Sequence, residues 1–250
     1  MTILLFFLAH WFSSLFCQTF FLHRYTSHRM FKLSPFWERF FYLLTIVTQG
    51  SSYLEPRAYG IMHRMHHAFS DTEKDPHSPY HLDNPIKMLT GMWGFYQQVL
   101  FGTAETPENF DKDLPRWEAV DRFFNSPWHW VWRIGCGAGY TLFYFKFASP
   151  WMYFLIPVHY IMGPVHGVIV NWCGHRHGYT NFHDTEDHSR NTLPMDFLMM
   201  GELFQNNHHK YPNRVNFAVK PFELDPAYPL IKILSWCGIV RFPDPTEEIH

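Results

Sequence analysis

Eight of the 18 histidines in this 250-residue chain lie in short motifs whose spacing suits metal binding. Three motifs hold two or three histidines each and a fourth holds one: His23 and His28 in HRYTSHR, His63, His66 and His67 in HRMHH, His208 and His209 in QNNHH, and His175 in NWCGH. Neutral imidazole is the commonest metal ligand near pH 7. A structural zinc needs four ligands and a catalytic zinc three and a water, so eight histidines suit two ions. The pattern suggests a dinuclear redox centre.

Helical geometry predicts how these side chains are shared between two ions. Residues i, i+3 and i+4 share one helix face, so His63, His66 and His67 can point at one locus. Two of them could bind one ion while the third binds its neighbour. The five-residue spacing of His23 and His28 separates them by about 140° on an ideal α-helix. The helix is therefore predicted to end or loosen between them.

Two further sets of residues place polar side chains beside these histidines. Asn171 and His175 are i and i+4 at the end of an apolar segment, and Glu202, Gln205 and His209 fall near one helix face. Glu202 is predicted to accept a hydrogen bond from an imidazole N–H and so to fix that ring's tautomer, without itself binding metal.

The remaining histidines have simpler interpretations. The three within apolar segments are predicted to be hydrogen-bonded core residues: His10, His159 and His166. Those in polar stretches are predicted to lie in loops or at an interface: His77, His81, His129 and His250. Three that closely follow His175 are reserve ligand candidates: His177, His183 and His188.

Four apolar segments must position the motifs. Residues 1–22 would span roughly 33 Å as a helix, enough to cross a bilayer, and they lack the basic start and the cleavage site of a signal peptide. Segments 128–148 and 151–173 are separated by a short turn and predict a hairpin of two further membrane helices. Segment 36–54 is predicted to lie along the interface or to fold back at residues 49–52, because all the histidines must meet on one side.

This arrangement predicts an all-α integral membrane protein, a single domain over residues 1–250 with three crossings and an outward N-terminus. Only Lys146 among the cations lies near the far turn, which places the histidines on the cytoplasmic face. Residues 70–127 predict cytoplasmic loops with one amphipathic helix over 86–101, and the apolar residues between 230 and 237 predict one short helix.

Composition excludes several other classes. Aromatic residues make up 20% of the chain and charged residues only 17%, below the roughly 25% of ordinary soluble domains. A net charge of −2 gives no reason to expect a nucleic-acid partner. The four cysteines form no C-x-x-C pair, so neither a disulfide framework nor a cysteine metal site is expected.

Taken together, the motifs resemble those of the membrane-bound fatty-acid desaturases, specifically the acyl-CoA Δ9 (stearoyl-CoA-type) branch, over nearly the whole chain. HRYTSHR resembles the first histidine box, HRMHHAFSDTEKDPHSP the second with its trailing D-P-H segment, NWCGHRHGY the Asn-x-x-x-His element, and GELFQNNHH the third box.

The resemblance implies a helical membrane anchor under a cytosolic helical cap, with a bent acyl tunnel running past two non-haem irons. It implies that the irons are bound by His23, His28, His63, His66, His67, His175, His208 and His209, with Asn171 contacting one of them through a water. It also implies an O2-dependent reaction. No fused haem domain and no dinucleotide motif is visible, so electrons are expected from a separate ferredoxin or cytochrome b5-type donor and its reductase.

Three features depart from the family pattern. Gln205 stands where the third box normally begins with histidine, and a carboxamide oxygen is a weaker, harder ligand than imidazole. Gln205 is expected to act like a ligand, directly or through water, or to leave an open position. The chain starts at the helix that leads into box one, without the family's preceding transmembrane helix. EPRAYGIM replaces the W-A-R-D pattern of the animal enzymes, so their CoA contacts do not transfer.

The resulting hypothesis is a desaturase that inserts a cis double bond, with Δ9 favoured, into a long acyl chain carried by CoA or by a lipid. A lipid hydroxylase or acetylenase on the same scaffold is one alternative. A zinc-dependent membrane hydrolase is another, although no H-E-x-x-H motif supports it. A transporter is disfavoured because its ligands would lie near the bilayer midplane rather than at helix ends.

Overall fold

The computed structural model describes residues 1–82 and 84–243, so the loop position predicted for His250 lies outside the described residues. Within these ranges the chain is mostly helical, with ten α-helices: α1 Thr2–Cys17, α2 Pro35–Gln49, α3 Pro56–Phe69, α4 Pro85–Leu100, α5 Glu118–Phe124, α6 His129–Phe147, α7 Ile156–Tyr160, α8 Met162–Arg176, α9 Gln205–Lys210 and α10 Ala227–Trp236. Two short strands, β1 Lys32–Leu33 and β2 Val240–Arg241, pair antiparallel. The helices predicted over 86–101 and near 230–237 are confirmed as α4 and α10.

Three of the helices begin in the same way. In α2, α3 and α4 a proline occupies the first turn, where its missing N–H costs nothing. The preceding residue accepts hydrogen bonds from the first free backbone N–H groups through its side chain; these caps are Ser34, Glu55 and Asn84. The sequence therefore fixes where each of these helices starts, including α3, which carries three of the motif histidines.

The helix that begins at Thr2 loosens before the first motif ends, as predicted from the spacing of His23 and His28. α1 continues without a break into a π-helix over Gln18–Ser27, whose hydrogen bonds run from residue i to i+5. The N–H of His28 accordingly donates to the carbonyl of His23 at 3.2 Å. This wider turn brings the two rings to 5.0 Å between centres.

Among the described residues, one helix is long and apolar enough by itself to cross a membrane, the continuous stretch Thr2–Ser27. The segment predicted as one membrane helix over 151–173 is instead broken. A 3-10 turn over Pro150–Leu155 leads into α7, and the axis then bends by 80° before α8. Together the two halves pass the same test of length and composition. The three predicted crossings stay a prediction.

The fold-back predicted near residue 50 has a clear structural basis. α2 ends at Gln49, and Gly50–Ser52 form a 3-10 turn. Gly50 adopts φ +53°, and a Cβ at this position would lie 1.8 Å from the Tyr140 hydroxyl oxygen. Glycine is therefore required both for the backbone conformation and for the close packing on α6. The outer face of α2 leaves Phe36 and Val47 exposed, a composition that suits contact with lipid.

A buried arginine joins the first histidine motif to the C-terminal part of the chain. Arg24 is fully buried, and its guanidinium contacts Glu202 at 2.9 Å and Asp225 at 2.8 Å. Its Nε also donates to the carbonyl of Val215 at 3.1 Å, and its guanidinium lies over the ring of Phe217. A buried cation needs such partners, so these contacts fix the segment around residues 215–225 against the π-helix.

Candidate metal centre

Four separate elements bring the eight motif histidines into one region. The π-helix and its C-cap provide His23 and His28, α3 provides three histidines, the last turn of α8 provides His175, and α9 provides His208 and His209. Their ligand nitrogens fall into two groups within which all atoms lie no more than 4.8 Å apart. The groups adjoin each other, since the rings of His67 and His209 are 4.6 Å apart between centres.

The first group, called here the five-histidine group, consists of His23, His28, His63, His67 and His208. Its Nε2 atoms face one another: His23 and His208 are 3.0 Å apart, His28 and His63 2.7 Å, and His67 and His208 2.9 Å. Convergence of several Nε2 atoms on one locus is the arrangement that a bound ion requires.

The second group, called here the three-histidine group, consists of His66, His175 and His209. Each pair of its rings is 5.0 Å apart between centres. The Nε2 atoms of all three are buried and have no hydrogen-bond partner among the described residues. Since burying an unpaired polar atom is costly, these three nitrogens indicate a missing partner such as a metal ion. His66 thus separates from His63 and His67, the division that the helical spacing allowed.

Each ring of the three-histidine group is oriented by its own carboxylate, which the sequence analysis had not identified. The Nδ1 atoms contact three aspartates: His66 contacts Asp75 at 3.0 Å, His175 contacts Asp71 at 3.0 Å, and His209 contacts Asp187. A carboxylate on Nδ1 holds the proton there and leaves Nε2 with a free lone pair. Two of the aspartates lie in the D-T-E-K-D stretch directly after the second histidine motif, a position that could have signalled this role.

Glu202 lies beside a histidine, as predicted, and that histidine is His23. The Glu202 carboxylate lies 2.5 Å from Nδ1 of His23 and also accepts hydrogen bonds from Arg24 and Thr19. Glu202 precedes α9, which begins only at Gln205, so the predicted helix face holds Gln205 and His209 but not Glu202. The prediction was therefore wrong in placing Glu202 on that face.

Burial favours the neutral form of four histidines in the five-histidine group. It lowers the pKa of His28, His63, His67 and His208 well below the ordinary value, and the neighbouring imidazoles add to the effect. Burial also opposes the charged form of His66, but the Asp75 carboxylate outweighs it and raises that pKa. Neutral imidazole is the form that binds metal, so the electrostatics of the five-histidine group suit a cation.

The aspartates of the three-histidine group stay ionised. Burial alone would raise their pKa values, but the contact with His66 lowers the pKa of Asp75 and the contact with His209 lowers that of Asp187. The pKa of Asp71 is lowered in the same way by His175. Three carboxylates close to the three imidazoles supply negative charge that a divalent cation would balance.

Asn171 and Gln205 lie beside the histidines without belonging to either group. Both line the same cavity as His23 and His63. Asn171 donates to the carbonyl of Gly167 at 2.8 Å, and the Gln205 amide donates to the carbonyl of Glu202 at 2.7 Å. Those donor contacts point each amide nitrogen at protein and leave the carbonyl oxygen as the available ligand atom.

The environment of Gln205 depends on a glycine in α8. A Cβ added to Gly174 would lie 2.3 Å from Cγ of Gln205. Gly174 directly precedes His175, so the glutamine packs against the last turn of α8 at the point where the helix delivers its histidine.

Other histidines are placed differently from the predictions. His77, predicted to lie in a loop or at an interface, does lie outside helices but is buried beside His66 and Asp75. The reserve candidates His177, His183 and His188 belong to neither group. His188 instead donates its backbone N–H to Asp71 at 2.8 Å, so it supports the carboxylate behind His175.

The histidines of the apolar helices are buried, as predicted. Nδ1 of His10 lies 2.6 Å from Nδ1 of His159, and Nε2 of His159 lies 3.0 Å from the hydroxyl of Tyr144. His166 differs from the prediction, because neither of its ring nitrogens has a hydrogen-bond partner among the described residues. It lines the same cavity as His23, with its ring edge against Trp11.

An apolar cavity of about 70 Å³ reaches the five-histidine group. Its wall includes His23 and His63 together with apolar side chains such as Leu54 and Trp93. Trp93 and Pro164 also line a larger neighbouring cavity of about 700 Å³ between α4, α6 and α8. The two cavities therefore meet at this pair, and their combined walls are suited to a long apolar ligand.

Comparison with known proteins agrees with the motifs. The family model described as fatty acid desaturase matches residues 1–232. The chain is 28% identical over 237 residues to Delta-9 desaturase-like 2 protein of Arabidopsis thaliana, covering 93% of this chain and 74% of that protein. It is 29% identical over 233 residues to acyl-CoA 5-desaturase AL21 of Anemone leveillei (91% and 67%). It is 29% identical over 224 residues to sn-1 stearoyl-lipid 9-desaturase of Synechocystis, covering 88% of this chain but only 64% of that protein.

Proposed function

The chain belongs to the fatty acid desaturase family, and from that premise we propose that it inserts a cis double bond into a long-chain fatty acyl group at a non-haem diiron centre. Dioxygen is the oxidant, and two electrons come from a separate ferredoxin or cytochrome b5-type donor. The observation that carries this proposal is the pair of adjoining histidine groups, of which the five-histidine group lines an apolar cavity through His23 and His63.

The donor set fits two irons. The five-histidine group would hold one, and the three-histidine group would hold the other, with its three unpartnered Nε2 atoms as ligands. Imidazole suits iron, and three protein ligands leave positions for water and oxygen. Asn171 would contact one of the two ions through a water, and Gln205 would act nearby through its carbonyl oxygen.

Bound iron would supply the oxidising power by which dioxygen, two external electrons and two protons remove two hydrogens from neighbouring methylenes and leave two waters. The protein contributes orientation. Asp71, Asp75 and Asp187 hold the protons on Nδ1, so that each Nε2 of the three-histidine group keeps its lone pair directed at the site. Glu202 does the same for His23.

The acyl chain would lie in the apolar cavity. Methylenes placed against Leu54, Met62 and Val170 would be held next to His23 and His63, and the same side chains would keep bulk water out. The larger cavity beyond Trp93 would take the remainder of the chain. Its apolar lining stabilises hydrocarbon by roughly 0.8 kcal/mol for each buried CH2.

The relatives' names leave the acyl carrier and the bond position open between a few choices. They include an acyl-CoA 5-desaturase and a stearoyl-lipid 9-desaturase. We favour acyl-CoA and the Δ9 position for this chain. The family is typically membrane-bound, and we place the histidine groups on the cytoplasmic face, because the cations other than Lys146 are remote from the turn between α6 and the broken helix.

The first experiment is the metal content of the detergent-purified chain from cells grown without added zinc. About two irons per chain is expected, since the eight imidazoles divide into two groups. About one zinc and no iron would contradict the diiron proposal and turn attention to hydrolysis. His183→Ala is the matched control for a ligand variant such as His175→Ala, because His183 is exposed and belongs to neither group.

The second experiment is lipid analysis of the same chain supplied with a reductase, an electron donor and either stearoyl-CoA or a stearoyl phospholipid. A new cis double bond, located by mass spectrometry, identifies both carrier and position. A hydroxylated or acetylenic product from an iron-loaded chain would replace the desaturase proposal with the hydroxylase or acetylenase alternative, since all three outcomes use the same scaffold.

A further inference from the structure

Two separate spaces reach the histidine groups. His23 and His63 line the apolar cavity, whereas His67 and His209 line a polar pocket of about 430 Å³. None of the eight motif histidines lines both spaces. The polar pocket therefore meets the proposed metal centre at the junction of the two groups, with one histidine from each in its wall.

Negative charge dominates the wall of this polar pocket. It contains Asp184, Glu186 and Asp187, while Lys210 is the cation among its lining residues. Lys210 is already paired with Asp184 at 2.5 Å, and Asp187 is buried against His209. Glu186 is exposed at the rim. A cation in the surrounding water would be attracted to this opening.

The pocket also offers ligands at its inner end. Nε2 of His209 is buried without a hydrogen-bond partner among the described residues, and the side chain is only 3% exposed. The Ser70 hydroxyl, also in the pocket wall, is likewise buried and unpartnered in the part of the chain that the structure describes. These are oxygen and nitrogen atoms that can replace the waters of a hydrated cation as it moves inward.

The apolar cavity is less suitable for the same task. Its wall is mainly apolar and includes Leu54, Met92 and Trp93, although Asn171 and Gln205 also line it. Stripping a hydration shell without compensation carries a very large free-energy cost. A divalent cation therefore keeps more polar contacts in the polar pocket, whose wall also carries the negative charge.

We propose that the polar pocket is the entry port through which hydrated divalent metal ions reach the two histidine groups, while the apolar cavity serves the acyl chain. This inference rests on the proposed metal centre and concerns how the centre is loaded. Glu186 draws the ion to the rim, and His209 and His67 receive it at the inner end.

The test measures the rate at which Co2+ enters the metal-free protein, followed by the absorption of the bound ion, together with the final metal content. Glu186→Lys reverses the charge at the rim, and Ala68→Trp obstructs the pocket beside His67, where Ala68 is exposed. Glu105→Lys is the charge control, since Glu105 is exposed and lies outside the pocket lining. Met92→Trp is the steric control because it fills the apolar cavity instead.

Glu186→Lys is expected to slow uptake roughly three- to tenfold at low salt, with the difference shrinking as salt screens the charge. Ala68→Trp is expected to slow uptake at every salt concentration, and both variants should reach the wild-type metal content. Removal of bound Co2+ by the anionic chelator EDTA, under conditions where its rate rises with EDTA concentration, should be faster in Glu186→Lys. A general loss of structure would not slow the uptake of a cation and at the same time speed metal removal by an anionic chelator.

The entry-port proposal would be overturned if Glu186→Lys and Ala68→Trp both took up Co2+ at the wild-type rate. It would also be overturned if Met92→Trp slowed uptake as much as Ala68→Trp does. Those outcomes leave the diiron proposal intact, because the final metal content would still be reached. A wild-type chain that binds no metal under any condition would instead overturn the proposed function, and the port with it.

Discussion

The five-histidine group and the three-histidine group are held in place by different means. In the first, Nε2 atoms contact one another, and one carboxylate, Glu202, lies behind one ring. In the second, every ring has its own aspartate on Nδ1 and an unpartnered Nε2. One group is positioned mainly by packed helices and the other by paired side chains. This difference predicts that the two groups respond differently to substitution.

Loss of a ligand should give the largest effect. More metal should be lost when the ligand is removed from the three-histidine group than from the five-histidine group. His175→Ala leaves two imidazoles in its group, so about half of the bound iron and all measurable desaturation should be lost. His67→Ala leaves four imidazoles, so desaturation should be lost while more iron remains. Iron analysis and lipid analysis of membranes carrying equal amounts of each variant provide the comparison. Full activity in His67→Ala would refute its assignment as a ligand.

Loss of an orienting carboxylate should give the next largest effect. Asp71→Asn weakens the hold on His175, and metal affinity at the three-histidine group should fall by about 10- to 100-fold. Glu202→Gln should have a smaller effect, because four other rings of its group do not depend on it. Competition with a chelator measures both affinities. Asp111→Asn is the control, because it alters a partly exposed carboxylate that is paired with arginines. Equal losses of metal affinity in Asp71→Asn and Glu202→Gln would contradict the proposed difference between the groups.

In the metal-free protein, histidines of the two groups should change the folding stability in opposite directions as the pH falls. The pKa of His208 is lowered by burial, so the unfolded chain binds more protons than the folded one below about pH 6.5, and stability falls as the pH drops. The pKa of His66 is raised by Asp75, so its contribution is present below that pH and is lost as the pH rises. Between pH 7.5 and 5.5, His208→Gln should therefore flatten the loss of stability on acidification, and His66→Gln should steepen it.

Urea denaturation of the metal-free chain in detergent measures these slopes. The comparison needs only the change in midpoint with pH for each variant, not its absolute stability. Identical slopes for His208→Gln and His66→Gln would show that the carboxylate behind His66 does not distinguish the two groups in solution.

Changes at Gln205 should give the smallest effect. Gln205→His restores an imidazole and should retain both metal ions, with activity altered by about tenfold at most, the equivalent of one hydrogen bond. Gly174→Ala, which displaces the glutamine side chain, should act in the same direction. Metal analysis and initial rates are the measurements. Loss of iron in Gln205→His would instead assign Gln205 a specialised position that imidazole cannot occupy.

Local patterns predicted much of the fold. Apolar stretches predicted the long N-terminal helix and the helices α4 and α10, and the spacing of His23 and His28 predicted that the helix loosens. These features depend on residues within a few positions of one another. The 80° bend between α7 and α8 was missed, since the apolar composition runs through it without interruption.

Contacts between distant segments were also missed. The aspartate behind His209 comes from residue 187, in an irregular loop, and Glu202 was predicted to support an imidazole without the sequence identifying that ring as His23. No periodicity connects such positions. The buried state of His77 and the unpartnered nitrogens of His166 likewise depend on which elements pack around them.

By itself, the sequence determined which residues have metal-binding chemistry and that the three histidines of α3 could serve two ions, because side-chain type and helical spacing are local properties. Only the tertiary structure decided which α3 histidine joins which group, that five histidines converge in one group and three in the other, and that three aspartates stand behind the smaller group. It also decided that an apolar cavity and an acidic pocket are lined by different histidines of the centre. Those relationships come from packing distant segments together, and neither composition nor spacing encodes the distances that result.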